Sequence, residues 1–225
     1  MFRTNAGKRK LCAWVLLVVL LVSTLGEASA AITGVSAESI SKKKLNIYVR
    51  AFVPGSNTPW KSIGHFDLMI EGKVYFQGKV FQNPVFSYRS EDSCLAVFNE
   101  ADTGKYYKNS SPSDYYYGCS LYQGCFAAVD YGTVQAFLKQ MNKNISSVKK
   151  YDGGVKCRFK SSSKLSKYKL TSINCFYAVA VWLQGFGNDS LMDYYYGAHS
   201  GRNKVYLPGN VIRAYSEKFK LKYAG

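Results

Sequence analysis

Histidine, acidic side chains and metal-ligand spacings are scarce in this sequence. Only two histidines occur among 225 residues, His65 and His199, and 14 Asp and Glu stand against 30 Lys and Arg. No Cys-x-x-Cys pair is present, alone or with clustered histidines, which argues against a zinc site. We therefore expect no metal and no cofactor, and imidazole chemistry has only two candidates.

Long apolar runs are missing as well. The N-terminal run "LCAWVLLVVLLVSTL" has fifteen residues, whereas a membrane-spanning helix needs about 20. A basic segment precedes this run, and Ala28 and Ala30 follow it in the small-x-small pattern that signal peptidase recognises. We expect residues 1–30 to be a signal peptide, with an uncleaved anchor as the alternative. Because no repeat or long linker appears, we expect residues 31–225 to form one secreted domain without a stable membrane span.

Positive charge dominates what remains. After residue 30 the chain keeps 26 basic and 13 acidic residues, a net charge of +13. Such a surface attracts polyanions, including wall polymers, anionic lipid headgroups and nucleic acid, although charge alone does not choose among them and also keeps a protein soluble. The partner that we expect is an anionic cell-wall polymer or peptidoglycan, and not a specific nucleic acid.

The cysteine count is odd in the predicted secreted part. Outside the cell thiols tend to pair, and an odd count leaves at least one over. Cys175 lies apart from the others, in a helical stretch, and we expect it to be a free thiol. We expect two disulfides, with three pairings open, among the cysteines of the Gly-, Ser- and Tyr-rich region: Cys94, Cys119, Cys125 and Cys157.

Apolar spacing predicts strands early in the chain and helices late in it. Residues 83–128 fit no single pattern, and we expect them to be a disulfide-rich, Tyr-rich insertion. The other predicted elements are a strand over 45–53, a hairpin over 62–81, a helix over 130–145, a turn and strand over 149–160, a second helix over 173–187, a loop over 190–206 and a short last helix over 207–219.

The position of Cys175 suggests a nucleophile. It stands in the first turn of the second predicted helix, directly after Asn174, which suits a capping position. The helix dipole and the unpaired N–H groups of a first turn favour a thiolate and can hold an oxyanion. A thiol nucleophile also needs a base, which would be His65 or His199. The alternative is that Cys175 is only a small buried hydrophobic residue.

Two segments carry a resemblance to a known family. "GHFDLMIEGKVYFQGK" resembles the Gly-His strand of the NlpC-type cell-wall hydrolases and the strand that follows it, and "YKLTSINCFYAVAVWLQGFG" resembles their cysteine helix. Here the histidine precedes the cysteine, which is the order of the circularly permuted branch of papain-like folds. "LPGNVI" is similar to a Pro-led segment found after the cysteine helix in that branch. The resemblance implies an α+β fold of the permuted papain-like (NlpC) type, with an antiparallel sheet packed against the cysteine-bearing helix.

The resemblance also implies an activity. It indicates a secreted cysteine hydrolase that cleaves amide bonds in peptidoglycan peptides, with Cys175 as nucleophile and His65 as base. Acyl transfer and ester cleavage are the alternatives. Gln77 stands where the family has the polar residue that orients the histidine. Tyr168 and His199, like Asn174, are candidates for contacts with the oxyanion or substrate.

Two other functions stay open. The first is a non-enzymatic, basic and Tyr-rich surface or wall-binding protein on the same scaffold. The second is a secreted ribonuclease-like enzyme that uses His65 and His199 as acid and base. That enzyme would need the two histidines in one cleft and Cys175 in a disulfide.

The leader gives the first testable prediction. Material secreted by an expressing cell should begin at Ala31, because the small-x-small pattern ends at Ala30. N-terminal sequencing checks this. A chain that begins before Ala28 would contradict it and favour the membrane anchor.

Overall fold

The computed structural model describes residues 44–54, 64–104, 119–170, 172–199 and 221–224. The predicted signal peptide over 1–30 and the predicted last helix over 207–219 lie outside these residues. Among the helices described, none combines the length and apolar character that crossing a membrane requires.

The described residues form an α+β fold dominated by a large antiparallel sheet. Three α-helices accompany ten strands, and short 3-10 turns join some of them. The helices are Tyr131–Lys143 (α1), Cys175–Gln184 (α2) and Ser190–His199 (α3). The strands are Leu45–Pro54 (β1), His65–Ile70 (β2), Lys73–Phe76 (β3), Lys79–Gln82 (β4), Pro84–Arg89 (β5), Cys94–Asn99 (β6), Cys119–Val129 (β7), Ile145–Tyr151 (β8), Gly154–Phe159 (β9) and Lys222–Tyr223 (β10).

Eight strands make the main sheet, in the order β10-β7-β1-β2-β5-β6-β9-β8. Every pair in it is antiparallel. All six residues of β2 and all six of β5 are buried, because both faces of the sheet are covered at its centre. The predicted strand over 45–53 is β1, which lies beside β2.

The two faces of β2 carry different residues, since side chains alternate along a strand. Phe66 belongs to the larger core, where its ring lies 5.2 Å from the ring of Phe176 on α2. Met69, an odd-numbered position, belongs to a smaller apolar cluster with the β1 residue Phe52. His65 and Asp67 are odd-numbered as well and lie on the Met69 face. Polar residues of β2 are therefore buried beside a small apolar cluster.

The predicted hairpin over 62–81 is wrong in its pairing. β2 does not pair with β3 but with β1 and β5, whereas β3 and β4 form a separate two-stranded sheet. The turn of the real hairpin is Gln77–Gly78, where both residues have positive φ, 51° and 75°. A two-residue turn of this kind matches the twist of antiparallel strands.

Two other segments differ from the expectation. Residues 84–99 and 119–129 are strands of the main sheet and not an insertion, while the rest of the Tyr-rich region, 105–118, lies outside the described residues. Residues 190–199, expected in a loop, form α3. Leu191, Met192 and Tyr195 are buried there, so packing against the core stabilises the helix.

The expected pair of disulfides is not present, because Cys125 and Cys157 are both free thiols. Four strand steps separate β7 from β6, which amounts to about 19 Å, and a disulfide needs Cα atoms within about 7 Å. Cys119 and Cys125 therefore cannot reach Cys94 or Cys157. They cannot reach each other either, because six residues of strand span about 20 Å.

Cys94 and Cys157 lie on neighbouring strands but on opposite faces. Cys94 is the register partner of Arg158, and Cys157 is the partner of Leu95. Directly opposite residues share a face and consecutive ones do not. Burial, followed by the charge of Cys94, raises the pKa of the Cys157 thiol to about 12, so Cys157 is unreactive at neutral pH.

Gly154 gives a prediction about stability. A Cβ at this position would lie 2.6 Å from the backbone oxygen of Val97 and would also collide with the Tyr151 ring. We expect Gly154→Ala to destabilise the fold by about 2 kcal/mol, the usual scale of overpacking. The control is Gly104→Ala, where no atom of the described residues lies within 4 Å of the added atom. Urea unfolding compares the two variants, and equal midpoints would contradict the prediction.

Candidate active site

The first turn of α2 is held by its capping residue. The Asn174 side chain accepts a hydrogen bond from the backbone N–H of Tyr177 at 3.1 Å, as the sequence predicts. Its Nδ2 donates to the Leu170 carbonyl oxygen at 2.9 Å. Asn174 is fully buried. This cap fixes Cys175 as the first helical residue, with the N–H groups of the turn around it.

His65 is held from the sheet by two polar groups. Its Nε2 atom lies 2.7 Å from Asp67 Oδ1 and 2.8 Å from Ser87 Oγ. Asp67 follows His65 by two positions on β2, and Ser87 is the β5 register partner of Asp67. His65 is 5% exposed, and the other two residues are fully buried. The ion pair and the hydroxyl together restrict the imidazole ring in a water-poor setting.

Cys175 contacts the same imidazole. Its thiol hydrogen-bonds the His65 ring, although 110 residues separate the two in the chain. The contact forms at the ends of two elements, because His65 is the first residue of β2 and Cys175 is the first of α2. α2 packs on β2 through Phe176 and Phe66, and this packing brings the helix terminus to the start of the strand.

The charges around His65 favour its protonated form. Burial lowers the pKa of His65, but the charges of Asp67 and Cys175, and hydrogen bonds to both, outweigh this effect. Together they raise the pKa from 6.5 to about 9. At neutral pH the protonated imidazolium is therefore the favoured state of His65.

The hydrogen bonds also assign roles to the two ring nitrogens. An ionised carboxylate can only accept, so Nε2 carries a proton and donates it to Asp67. That leaves Nδ1 as the ring nitrogen for the side-chain hydrogen bond with Cys175. A thiol, an imidazole and an orienting acid in this order are the parts of a nucleophilic triad.

Gln77 does not join this group. We expected it to orient His65, but it lies in the turn between β3 and β4. Its Nε2 donates to Asn142 Oδ1 on α1 at 2.7 Å. The reason is the separate β3–β4 sheet, which takes Gln77 away from the main sheet. Asp67 occupies the orienting position instead.

The remaining candidates have other surroundings. The backbone N–H of Tyr168 donates to Ser93 Oγ at 2.8 Å, and its ring lies 5.3 Å from that of Tyr88. His199 is the last residue of α3, and its side chain lies outside the described residues. Asn174 already uses both ends of its amide in the cap. The oxyanion donors that remain at Cys175 are the backbone N–H groups of the first turn.

Sequence reasoning missed Asp67 and Ser87 as site residues. Asp67 carried a usable signal, because a residue two positions from His65 on a strand must share its face. Ser87 carried none, since its role depends on the register between β2 and β5. No group of three or more metal-ligating side chains occurs among the described residues.

Comparisons with known proteins give no relative. No family model, no curated protein and no solved structure matches this chain.

The pKa of His65 provides the test of this geometry. Asp67→Asn removes the carboxylate charge, so the pKa of His65 should fall from about 9 towards 6.5. An NMR titration of the histidine ring protons measures it, and a His199→Gln sample assigns the two signals. Ser87→Ala, which removes a hydroxyl but no charge, is the matched control and should change the pKa less. An Asp67→Asn protein with an unchanged pKa would show that the carboxylate does not act on this ring.

Proposed function

We propose that this protein is a cysteine hydrolase that cleaves amide bonds through Cys175 and His65. The observation that carries the proposal is the pair of contacts at one imidazole. The Cys175 thiol bonds it from the helix terminus, and the buried Asp67 carboxylate bonds Nε2 at 2.7 Å from the strand. A cysteine that served only as packing would have no use for a buried, protonated base.

The arrangement supports acyl transfer in two steps. In the first, the Cys175 thiolate attacks the amide carbonyl carbon, and first-turn N–H groups stabilise the oxyanion. His65 gives its Nδ1 proton to the departing amine, so the carbon–nitrogen bond breaks and a thioester remains. In the second, His65 takes a proton from water, whose oxygen attacks the thioester. The acid leaves and the sulfur is released, with Asp67 orienting the ring throughout.

The fold that we propose is a permuted papain-like fold of the NlpC type. Three features support it: the strand that bears the histidine precedes the helix that bears the cysteine, the sheet is antiparallel, and the helix packs against a central strand. The orienting residue departs from the family pattern, since Asp67 stands where a residue of the next strand was expected. The substrate that we propose is a peptidoglycan peptide.

The charge distribution supports an anionic partner and an extracellular location. In β8 the residues from 146 to 150 are all exposed, and they include Lys149 and Lys150. Together with the net charge of the chain, this strand supplies a cationic surface for a wall polymer. We propose that the protein is secreted and held at the cell wall in this way.

The state of Cys175 bears differently on the two alternative functions. The ribonuclease-like function requires Cys175 in a disulfide, whereas Cys175 is a free thiol. The non-enzymatic wall-binding function is favoured by the burial of Cys175, which is only 1% exposed. It is the second candidate, and hydrolysis decides between the two.

Cys175→Ala should abolish hydrolysis while leaving wall binding intact. Loss of a nucleophile lowers catalysis by at least about a thousandfold. The measurement is the appearance of new amines in purified peptidoglycan, detected by amine labelling and mass spectrometry, beside a sedimentation assay for wall binding.

The matched control is Cys125→Ala, which removes an exposed thiol on β7 and should retain full activity. Hydrolysis that persists in Cys175→Ala would overturn the assignment. A wild-type protein that binds walls and releases no amine would establish the non-enzymatic function.

A further inference from the structure

Among the residues that the structure describes, one charged side chain on the His65 face of the sheet forms no ion pair with a carboxylate. Arg50 on β1 is 1% exposed, and its register partner is Asp67. The Asp67 carboxylate lies on His65 instead, and within the described ranges no ion pair joins Arg50 to an acid. Within the described part of the chain, both Nη atoms of Arg50 donate to the Thr103 hydroxyl, each at 3.2 Å, and the buried Nε has no hydrogen-bond partner there.

Arg50 lies close to the proposed active site. Its guanidinium carbon is 5.7 Å from the centre of the Phe52 ring, and the Phe52 ring is 6.3 Å from the His65 ring. The guanidinium carbon therefore lies within about 12 Å of the centre of the His65 ring. A cation that forms no ion pair is costly to remove from water, and buried charges normally have a partner. An anion supplied from outside the protein would complete this site.

We propose that Arg50 binds a carboxylate of the substrate, so that the enzyme selects peptides with a free carboxylate near the bond that is cleaved. The inference rests on the proposed function, because it makes Arg50 a subsite of the Cys175–His65 site. A guanidinium is suited to this task, since its planar fork matches a carboxylate and keeps its charge at all relevant pH values. That separation corresponds to no more than about three residues of an extended peptide.

Two thiol reagents that differ in charge test the subsite directly. Methanethiosulfonates transfer their alkylthio group to a thiolate and release methanesulfinate. The 2-sulfonatoethyl reagent carries an anion, and the 2-hydroxyethyl reagent is neutral. Peptide mass spectrometry gives the rate at each cysteine, and the exposed Cys125 serves as reference within the same chain. We expect the anionic-to-neutral rate ratio at Cys175 to exceed that at Cys125 about tenfold, the scale of one charge-assisted hydrogen bond.

Substitution separates Arg50 from the general positive charge. Arg50→Met should reduce the rate ratio at Cys175 to that at Cys125. Arg158→Met removes one charge from a side chain that is 63% exposed and should leave the ratio unchanged. For the hydrolase, Arg50→Met should raise KM about tenfold for a peptide with a free carboxylate and leave KM unchanged for the same peptide amidated.

Thermal unfolding distinguishes a binding role from a structural one. If Arg50 serves to bind a ligand, Arg50→Met removes a buried charge that forms no ion pair. The midpoint temperature of unfolding should then stay the same or rise. A lowered midpoint together with an unchanged rate ratio would overturn the proposal. Equal rate ratios at Cys175 and Cys125 in the wild type would also overturn it, while leaving the hydrolase intact. A Cys175 inert to both reagents would overturn the hydrolase and the subsite together.

Discussion

The ionised carboxylate of Asp67 constrains the centre of this fold. It is fully buried in the middle of an eight-stranded sheet, where an unpaired charge would be strongly destabilising. Nε2 of His65 at 2.7 Å supplies the compensating charge, and the Ser87 hydroxyl shares the same nitrogen. The requirement fixes the β2–β5 register, since a slip of one residue would turn Asp67 into the apolar core. Asp67 and Ser87 hold the His65 ring through Nε2, so Nδ1 is the nitrogen available for a contact with α2.

Much of the helical part of the fold follows from local sequence. The apolar spacing of Val134, Phe137, Leu138 and Met141 predicts α1, and its cap is Asp130, whose carboxylate accepts from Thr133 N–H at 2.7 Å. The start of α2 follows from Asn174 in the same way. Helix signals lie within one or two turns of chain, so a single sequence contains them. The alternation of apolar and polar residues predicts the strand β1 equally well.

The parts that could not be predicted depend on long-range pairing. β2 and β3 are consecutive and alternate as a hairpin would, yet β2 pairs with β5 and so meets Ser87. That choice is made by the burial of both faces of β2, which only the folded sheet provides. The expected role of Gln77 was wrong for the same reason, because its position depends on which strands pair on either side of the turn. α3 was missed because its stability comes from Leu191 and Met192 in the core rather than from a strong local pattern.

The last strand of the sheet order has a consequence for how copies of this chain meet. β8 ends the described sheet, and its residues from 146 to 150 are exposed. An edge strand has unpaired backbone N–H and C=O groups with which a strand of another molecule can pair. Lys149 and Lys150 make such pairing unfavourable. If the β8 strands of two copies paired, the lysines of one copy would lie close to those of the other and repel them. The same lysines that we propose to bind polyanions would thus keep a concentrated solution of the protein from associating through continuous sheets.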